Sequence, residues 1–115
     1  MNSIIKLNTI DDWEEIKKNT SGKEELVIFK YSPVCSVSAL VEDDFDLWYS
    51  KLPEGSNLKC VKVNVISARQ VSAQIAEELK IRHQSPQLIW LTKNSEIKWQ
   101  ANHYDITKAG LAAHF

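Results

Sequence analysis

The chain lacks every feature that would commit it to an extreme class. Its 115 residues carry a formal net charge of -1, so no excess of either sign is left over for a nucleic-acid footprint or a polybasic membrane contact. No apolar run approaches the roughly 18 residues that a transmembrane helix needs. The start, Met1 to Leu7, is too short and too polar for a signal peptide. The expected compartment is therefore the cytoplasm. Repeats, low-complexity stretches and linkers are absent too, and a hydrophobic share of 43% against 25% charged residues suits a globular chain with one core. A single domain over residues 1–115 is expected.

Cysteine is scarce. Cys35 and Cys60 are the only two, and in a chain without an export signal they read as separate thiols, because cytosolic thiols are kept reduced. Together with His83, His103 and His114 they do not form the close ligand pairs of a zinc site, so no metal site is expected.

What is present is a run of alternating strand-like and helix-like patterns. Ile4 to Leu7 reads as a short strand. Thr9 and Asp12 have the spacing of a capping pair for a helix that carries Trp13 and Ile16 and ends by Asn19. Leu26 to Tyr31 is rich in strand formers and stops at Pro33, which has no N–H for a ladder. Val37, Leu40, Val41, Phe45, Trp48 and Leu52 recur at helical steps, closed by Pro53 and Gly55. Leu58 to Val65 is a third strand. Ser67 and Gln70 have capping-box spacing for a helix with Val71, Ile75 and Leu79 on one face. After the loop Arg82 to Ser85 and Pro86, Gln87 to Thr92 and Glu96 to Ala101 form a hairpin around Lys93-Asn94-Ser95, and Asp105 can cap a last helix to about His114. Alternation of this kind implies an α/β fold with parallel crossovers and a closing antiparallel pair.

Cys35 stands where the second strand gives way to the second helix. Helix N-terminal N–H groups favour a thiolate over a thiol, so this is the geometry of a reactive cysteine. Three residues on, where a dithiol redox motif has its second cysteine, the chain has Ser38.

The element order, the cysteine opening the helix after the second strand and the proline just before the fourth strand resemble the thioredoxin fold, with a central mixed sheet of four to five strands and helices on both faces. Within it, the stretch from Phe29 to Ser38 together with His83-Gln84-Ser85-Pro86-Gln87 is similar to the monothiol bacilliredoxins, thioredoxin-like proteins of the bacillithiol system. Their usual Cys-Pro-Ile-Ser is here Cys35-Ser36-Val37-Ser38, which leaves the helix start without its stiffening proline. The resemblance implies that Cys35 is the nucleophile, that Ser38 hydrogen-bonds its sulfur, and that Pro86 is cis and faces it. It places substrate along Pro33, Val34, Ser36, Ser85 and Pro86. It further implies a thiol-disulfide oxidoreductase that removes bacillithiol, or another low-molecular-weight thiol, from client proteins, with that thiol as co-substrate and no tightly bound cofactor. Nucleic acid and membrane are not among the partners it implies.

Other readings stand beside this one. The fold could serve as a non-catalytic binding module. Monothiol glutaredoxins also use Cys-x-x-Ser and share an iron–sulfur cluster between subunits, but through Cys-Gly-Phe-Ser, from which Ser36-Val37 departs. Cys60, mid-strand, reads as a core residue, or as a resolving thiol if exposed, and strand-to-helix geometry disfavours a Cys35–Cys60 bridge. His83 reads as a loop histidine close to Pro86. Glu42-Asp43-Asp44 with Asp46 reads as a solvated helix face. Trp13, Trp48, Trp90 and Trp99 read as core or rim packing.

Overall fold

The computed structural model describes residues 4–115; Met1 to Ser3, part of the start on which the expectation of no signal peptide rests, lie outside it. In chain order the elements are β1 (Ile5–Lys6), α1 (Ile10–Thr20), β2 (Glu25–Tyr31), α2 (Ser36–Ser50), β3 (Leu58–Asn64), α3 (Arg69–Leu79), β4 (Gln87–Leu91), β5 (Ile97–Asn102), a 3-10 turn at His103–Asp105 and α4 (Lys108–His114). They build one five-stranded mixed sheet in the order β1-β3-β2-β4-β5. β2 runs parallel to β3 and antiparallel to β4, and β4 and β5 form the expected hairpin. Among the described residues no helix is long and apolar enough to cross a membrane.

The side-chain alternation of β2 sorts the core into two layers. Leu26 and Ile28 face α1 and α3 and pack with Trp13, Ile16, Val61, Val71 and Ile75. Val27 and Phe29 face α2 and α4 and pack with Val41, Phe45, Trp48, Cys60 and Trp90. Phe29 and Phe45 stack at 4.9 Å between ring centroids, which locks α2 to the strand that precedes it. Of the four tryptophans, Trp13, Trp48 and Trp90 are buried, while Trp99 is half-buried and stacks on His114 at 4.4 Å.

Thr9 and Asp12 form the anticipated capping box on α1. Two other caps differ from expectation. At α3 the N-cap is Ala68, with no side-chain bond, rather than the Ser67–Gln70 box. Asn64 explains the change: its Oδ1 accepts from the N–H groups of Ile66 and Ser67, so the side chain ending β3 organises the turn instead. At α4 the cap is Thr107, whose Oγ1 accepts from Gly110 N–H, while Asp105 is used up in the 3-10 turn that follows β5. The buried face of α2 is Ser38, Val41, Phe45 and Trp48, so Leu40, 60% exposed, lies off the face it was assigned to. The acidic run is also only partly solvated. Glu42 Oε2 and Asp46 Oδ1 lie 2.7 and 2.8 Å from Nζ of the buried Lys62, tying α2 to β3, whereas Asp43 is exposed.

Lys30 is the unusual core residue. It follows Ile28 on the α3-facing side of β2, is wholly buried and has Nζ 2.9 Å from the Ser72 carbonyl. Burial brings its ammonium down to about 8, against a usual value of 10.5. Between those two values the unfolded chain holds the proton that the folded chain has released, so stability rises as pH climbs from about 8 to 10.5. Denaturant melts across this window are expected to show the wild type gaining on Lys30→Met by up to roughly 3 kcal/mol. Parallel curves for the two proteins would show that the buried amine is not the source of the rise.

Candidate active site

The site is assembled by strand register. The β2–β4 ladder has Lys30 opposite Gln87 as its last rung, so Tyr31 and Pro86 step off the same end of two neighbouring strands. The Cys35 loop and the Ser85–Pro86 loop therefore leave the sheet side by side. Beyond Tyr31, Pro33 and Val34 project into solvent, Val34 being 82% exposed. Cys35 is the N-cap of α2, in extended backbone conformation, and makes no side-chain capping bond.

An N-cap without a capping side chain leaves the first N–H groups of the helix available to the sulfur. The Cys35 thiol is accordingly held below its ordinary value, chiefly by the Ser38 N–H, which outweighs the opposing effect of burial, with the Val37 N–H and then the Ser38 hydroxyl adding less. Ser38 is itself buried, and its Oγ accepts from Ser32 N–H at 3.1 Å. It thus closes the loop that carries Cys35 and still has its own hydroxyl proton to give. Ser36 is exposed at the first helical position.

Cys60 has the opposite environment. It is buried in β3 among Val27, Phe45 and Trp90, and burial pushes its thiol up to about 12. Both cysteines are free.

The second loop is the more polar. The Ser85–Pro86 bond is cis, Pro86 is buried, and its carbonyl accepts from His103 N–H at 2.9 Å. Gln87 reaches back with Nε2 to the Arg82 carbonyl and across to Asn102 Oδ1, both at 3.0 Å. Gln84 Oε1 meets His103 Nε2 at 3.0 Å, and Ser72 Oγ meets His83 Nδ1 at 3.3 Å. His103 adopts a left-handed backbone, φ 52°, to make this turn. The structure thus places Pro33, Val34, Cys35, Ser36 and Ser38 on one loop and helix start and Ser85 and Pro86 on the adjoining loop. Sequence reading missed the braces of that second loop: Lys30, Ser72, Gln87 and His103. The signal for Lys30 was there, a lysine in step with Leu26 and Ile28 along an apolar strand; the others are polar residues whose partners only the fold supplies. Among the described residues no three His, Cys, Asp or Glu side chains converge as metal ligands.

The family model for the monothiol bacilliredoxin BrxC matches residues 5–111. The chain belongs to that family. A solved structure described as a candidate oxidoreductase with a thioredoxin fold superposes with a TM-score of 0.80 at 27% identity, covering 96% of this chain and 92% of its own. The thioredoxin of Malassezia sympodialis gives 0.71 at 22% identity, covering 98% and 88%, and that of Fasciola hepatica 0.73 at 13%, covering 96% and 94%. The last two establish the thioredoxin fold. As a monothiol bacilliredoxin with this fold, the protein is a thiol oxidoreductase.

Two measurements follow for this bacilliredoxin. Iodoacetamide at neutral pH is expected to label Cys35 in the native protein and Cys60 only after unfolding, read by peptide mass spectrometry; native labelling of Cys60 would contradict its burial. Ser38→Ala should shift the pH profile of Cys35 alkylation upward and cost about 1 kcal/mol through the lost acceptor for Ser32 N–H. An unmoved profile would remove Ser38 from the thiolate's support.

Proposed function

We propose that the protein removes bacillithiol, or a comparable low-molecular-weight thiol, from mixed disulfides on client proteins in the cytoplasm, with Cys35 as the attacking group. The Cys35 thiolate attacks the sulfur of the small thiol in the client's mixed disulfide. A bond forms between Cys35 and the small thiol, the disulfide to the client breaks, and the client leaves as a thiolate that takes a proton from water. A second small-thiol molecule, as thiolate, then attacks the sulfur of the bound small thiol. Cys35 is released as thiolate and the two small thiols depart as their disulfide, so electrons balance without a bound cofactor.

The carrying observation is the lone activated thiol: Cys35 is held toward the thiolate, Ser38 stands where a resolving cysteine would, and Cys60 is buried in β3. With no internal resolving thiol the second step falls to an outside one. Ser38 supports the thiolate, and Pro33, Val34, Ser36, Ser85 and Pro86 form the surface along which the substrate's disulfide lies. The exposed Val34 offers apolar contact to a client chain beside the sulfur. Neither nucleic acid nor membrane is a partner in this reading.

The test is a client protein carrying bacillithiol in mixed disulfide, incubated with wild type, Cys35→Ser and Cys60→Ser. The wild type and Cys60→Ser are expected to free the client and to show one bacillithiol adduct on Cys35 by intact mass. Cys35→Ser should lose at least a hundredfold in rate, on the order of what removing a covalent nucleophile costs. Retained activity in Cys35→Ser, or an adduct confined to Cys60, would overturn the assignment.

A further inference from the structure

The β4–β5 ladder ends as the β2–β4 ladder does. Asn102 stands opposite Gln87, which stands opposite Lys30, so Tyr31, Pro86 and His103 step off one end of three neighbouring strands. The 3-10 turn that His103 opens packs against α2, the helix that Cys35 caps, and Ile106 behind it is buried in the layer of Val41 and Phe45. His103 therefore lies at the Cys35 end of the sheet, with the cis Pro86 loop between the two.

There it makes two bonds to one loop. Its backbone N–H donates to the Pro86 carbonyl at 2.9 Å, and its Nε2 lies 3.0 Å from Gln84 Oε1. Ser85 sits between those two points, so a single residue holds the chain on both sides of it. Ser85 adds no hold of its own: its Oγ is buried and has no hydrogen-bond partner among the described residues. Gln87 and Ser72 fasten the loop farther back, at Arg82 and His83.

The backbone of His103 is left-handed, φ 52°, a region that glycine enters freely and other residues seldom do. A glycine would make the turn with less strain but would leave Gln84 unheld. An unfavourable conformation beside a reactive group points to the work of the side chain that occupies it. With Gln84 Oε1 accepting, Nε2 is the donor, as it is in one neutral tautomer and in the imidazolium alike. The brace therefore holds whether or not His103 is charged.

We infer that His103 is a positioning residue of the exchange site, its N–H and imidazole together setting Ser85 and Pro86 where a mixed disulfide lies against Cys35, a role that rests on the exchange reading at Cys35. His103 acts through the loop and not on the sulfur, whose supporting donors all come from the start of α2. Its loss should therefore separate two reactions of one thiol. Alkylation needs only access to the thiolate, whereas exchange needs the attacked disulfide aligned with it.

The full-length wild type, His103→Ala, His103→Gln, Gln84→Ala and the double variant of His103→Ala with Gln84→Ala are compared in two assays. One follows alkylation of Cys35 by iodoacetamide across pH, read by peptide mass spectrometry. The other follows release of an uncharged model peptide joined to mercaptoethanol by a disulfide. His103→Ala is expected to lower the exchange rate about tenfold, within what a displaced positioning contact can cost, while its alkylation profile stays with the wild type. Gln84→Ala should lose most of the same, and the double variant no more than His103→Ala, because the two side chains act through one bond. His103→Gln, whose amide can donate to Gln84 in place of Nε2, should return to within about threefold of wild type. A parallel fall in both assays would reduce His103 to a support of the fold, and unchanged exchange in His103→Ala would remove it from the site. Either result overturns the inference and leaves exchange at Cys35 standing. Additive losses in the double variant, or no recovery in His103→Gln, would overturn the shared bond. If the wild type is alkylated at Cys35 but frees no peptide, the exchange reading fails and the role of His103 falls with it.

Discussion

Everything at the candidate site depends on the pairing of β2 with β4. β2 is parallel to β3 on one side and antiparallel to β4 on the other, so it is buried on both faces and on both edges. The antiparallel side is what creates a site. A parallel neighbour would send its following loop out at the same end as the Cys35 loop but its preceding loop out at the opposite one; an antiparallel neighbour brings the loop that precedes β4 to the thiol. The last rung, Lys30 opposite Gln87, fixes how far each strand runs before it turns. Both members of that rung are wholly buried polar residues, and a slip of one residue would aim the Lys30 ammonium at the aromatic layer of Phe29, Phe45 and Trp48. Polar burial at this point costs stability, and in return the register has one acceptable value.

The same architecture separates the two cysteines chemically. Cys35 ends a strand and begins a helix, where backbone donors have no carbonyl partners and a negative sulfur is welcome. Cys60 is three residues into a strand with its backbone groups in the ladder and its thiol among aromatic rings, where a negative sulfur has nothing to compensate its desolvation. One thiol type thus falls below its usual range and the other rises to about 12 within one small domain-sized sheet, from placement alone. Nothing about the residues flanking Cys60 is inert in itself; alternation turns Lys59 to the opposite face, and Lys62, on the same face two residues on, has its ammonium drawn to Glu42 and Asp46.

How much of this is legible in the sequence depends on how local the cause is. The order of strands and helices follows from apolar periodicity, and the Thr9–Asp12 box from a four-residue spacing, so both can be read directly. The position of Cys35 at a helix start is legible for the same reason. The caps of α3 and α4 are not, because several residues near each junction can cap and the choice falls to the turn: Asn64 takes over at the end of β3, and the 3-10 turn after β5 moves the α4 start past Asp105 to Thr107. The partners of Glu42 and Asp46 are equally hidden, since Lys62 lies about twenty residues away and meets them only when α2 packs on β3. The braces of the cis Pro86 loop are hidden most deeply. Gln87, Asn102, His103 and Ser72 come from four elements, and no spacing in the chain links them.

Ser38 and Ser36 show why a one-thiol site is more than a two-thiol site with an atom exchanged. Ser38 Oγ accepts from Ser32 N–H, so the residue three places after the cysteine closes the loop leading into it. A cysteine there would bring only a weak acceptor sulfur to the same N–H, and the loop would lose part of its closure as the helix gained a second thiol. The serine therefore combines two tasks that a cysteine thiol would perform only weakly, acceptor to the loop and donor to the thiolate. Ser36 acts on the same helix start from the other direction. Proline, usual in the family at this first position, fixes the backbone angle and has no N–H. Serine restores that N–H among the unsatisfied donors nearest the sulfur while releasing the angle, so the helix start has one more backbone dipole to offer a thiolate and less rigidity with which to aim it. The closure supplied by Ser38 and the stacking of Phe29 on Phe45 then become the elements that hold α2 in place, and the position of Cys35 rests on them instead of on a proline ring.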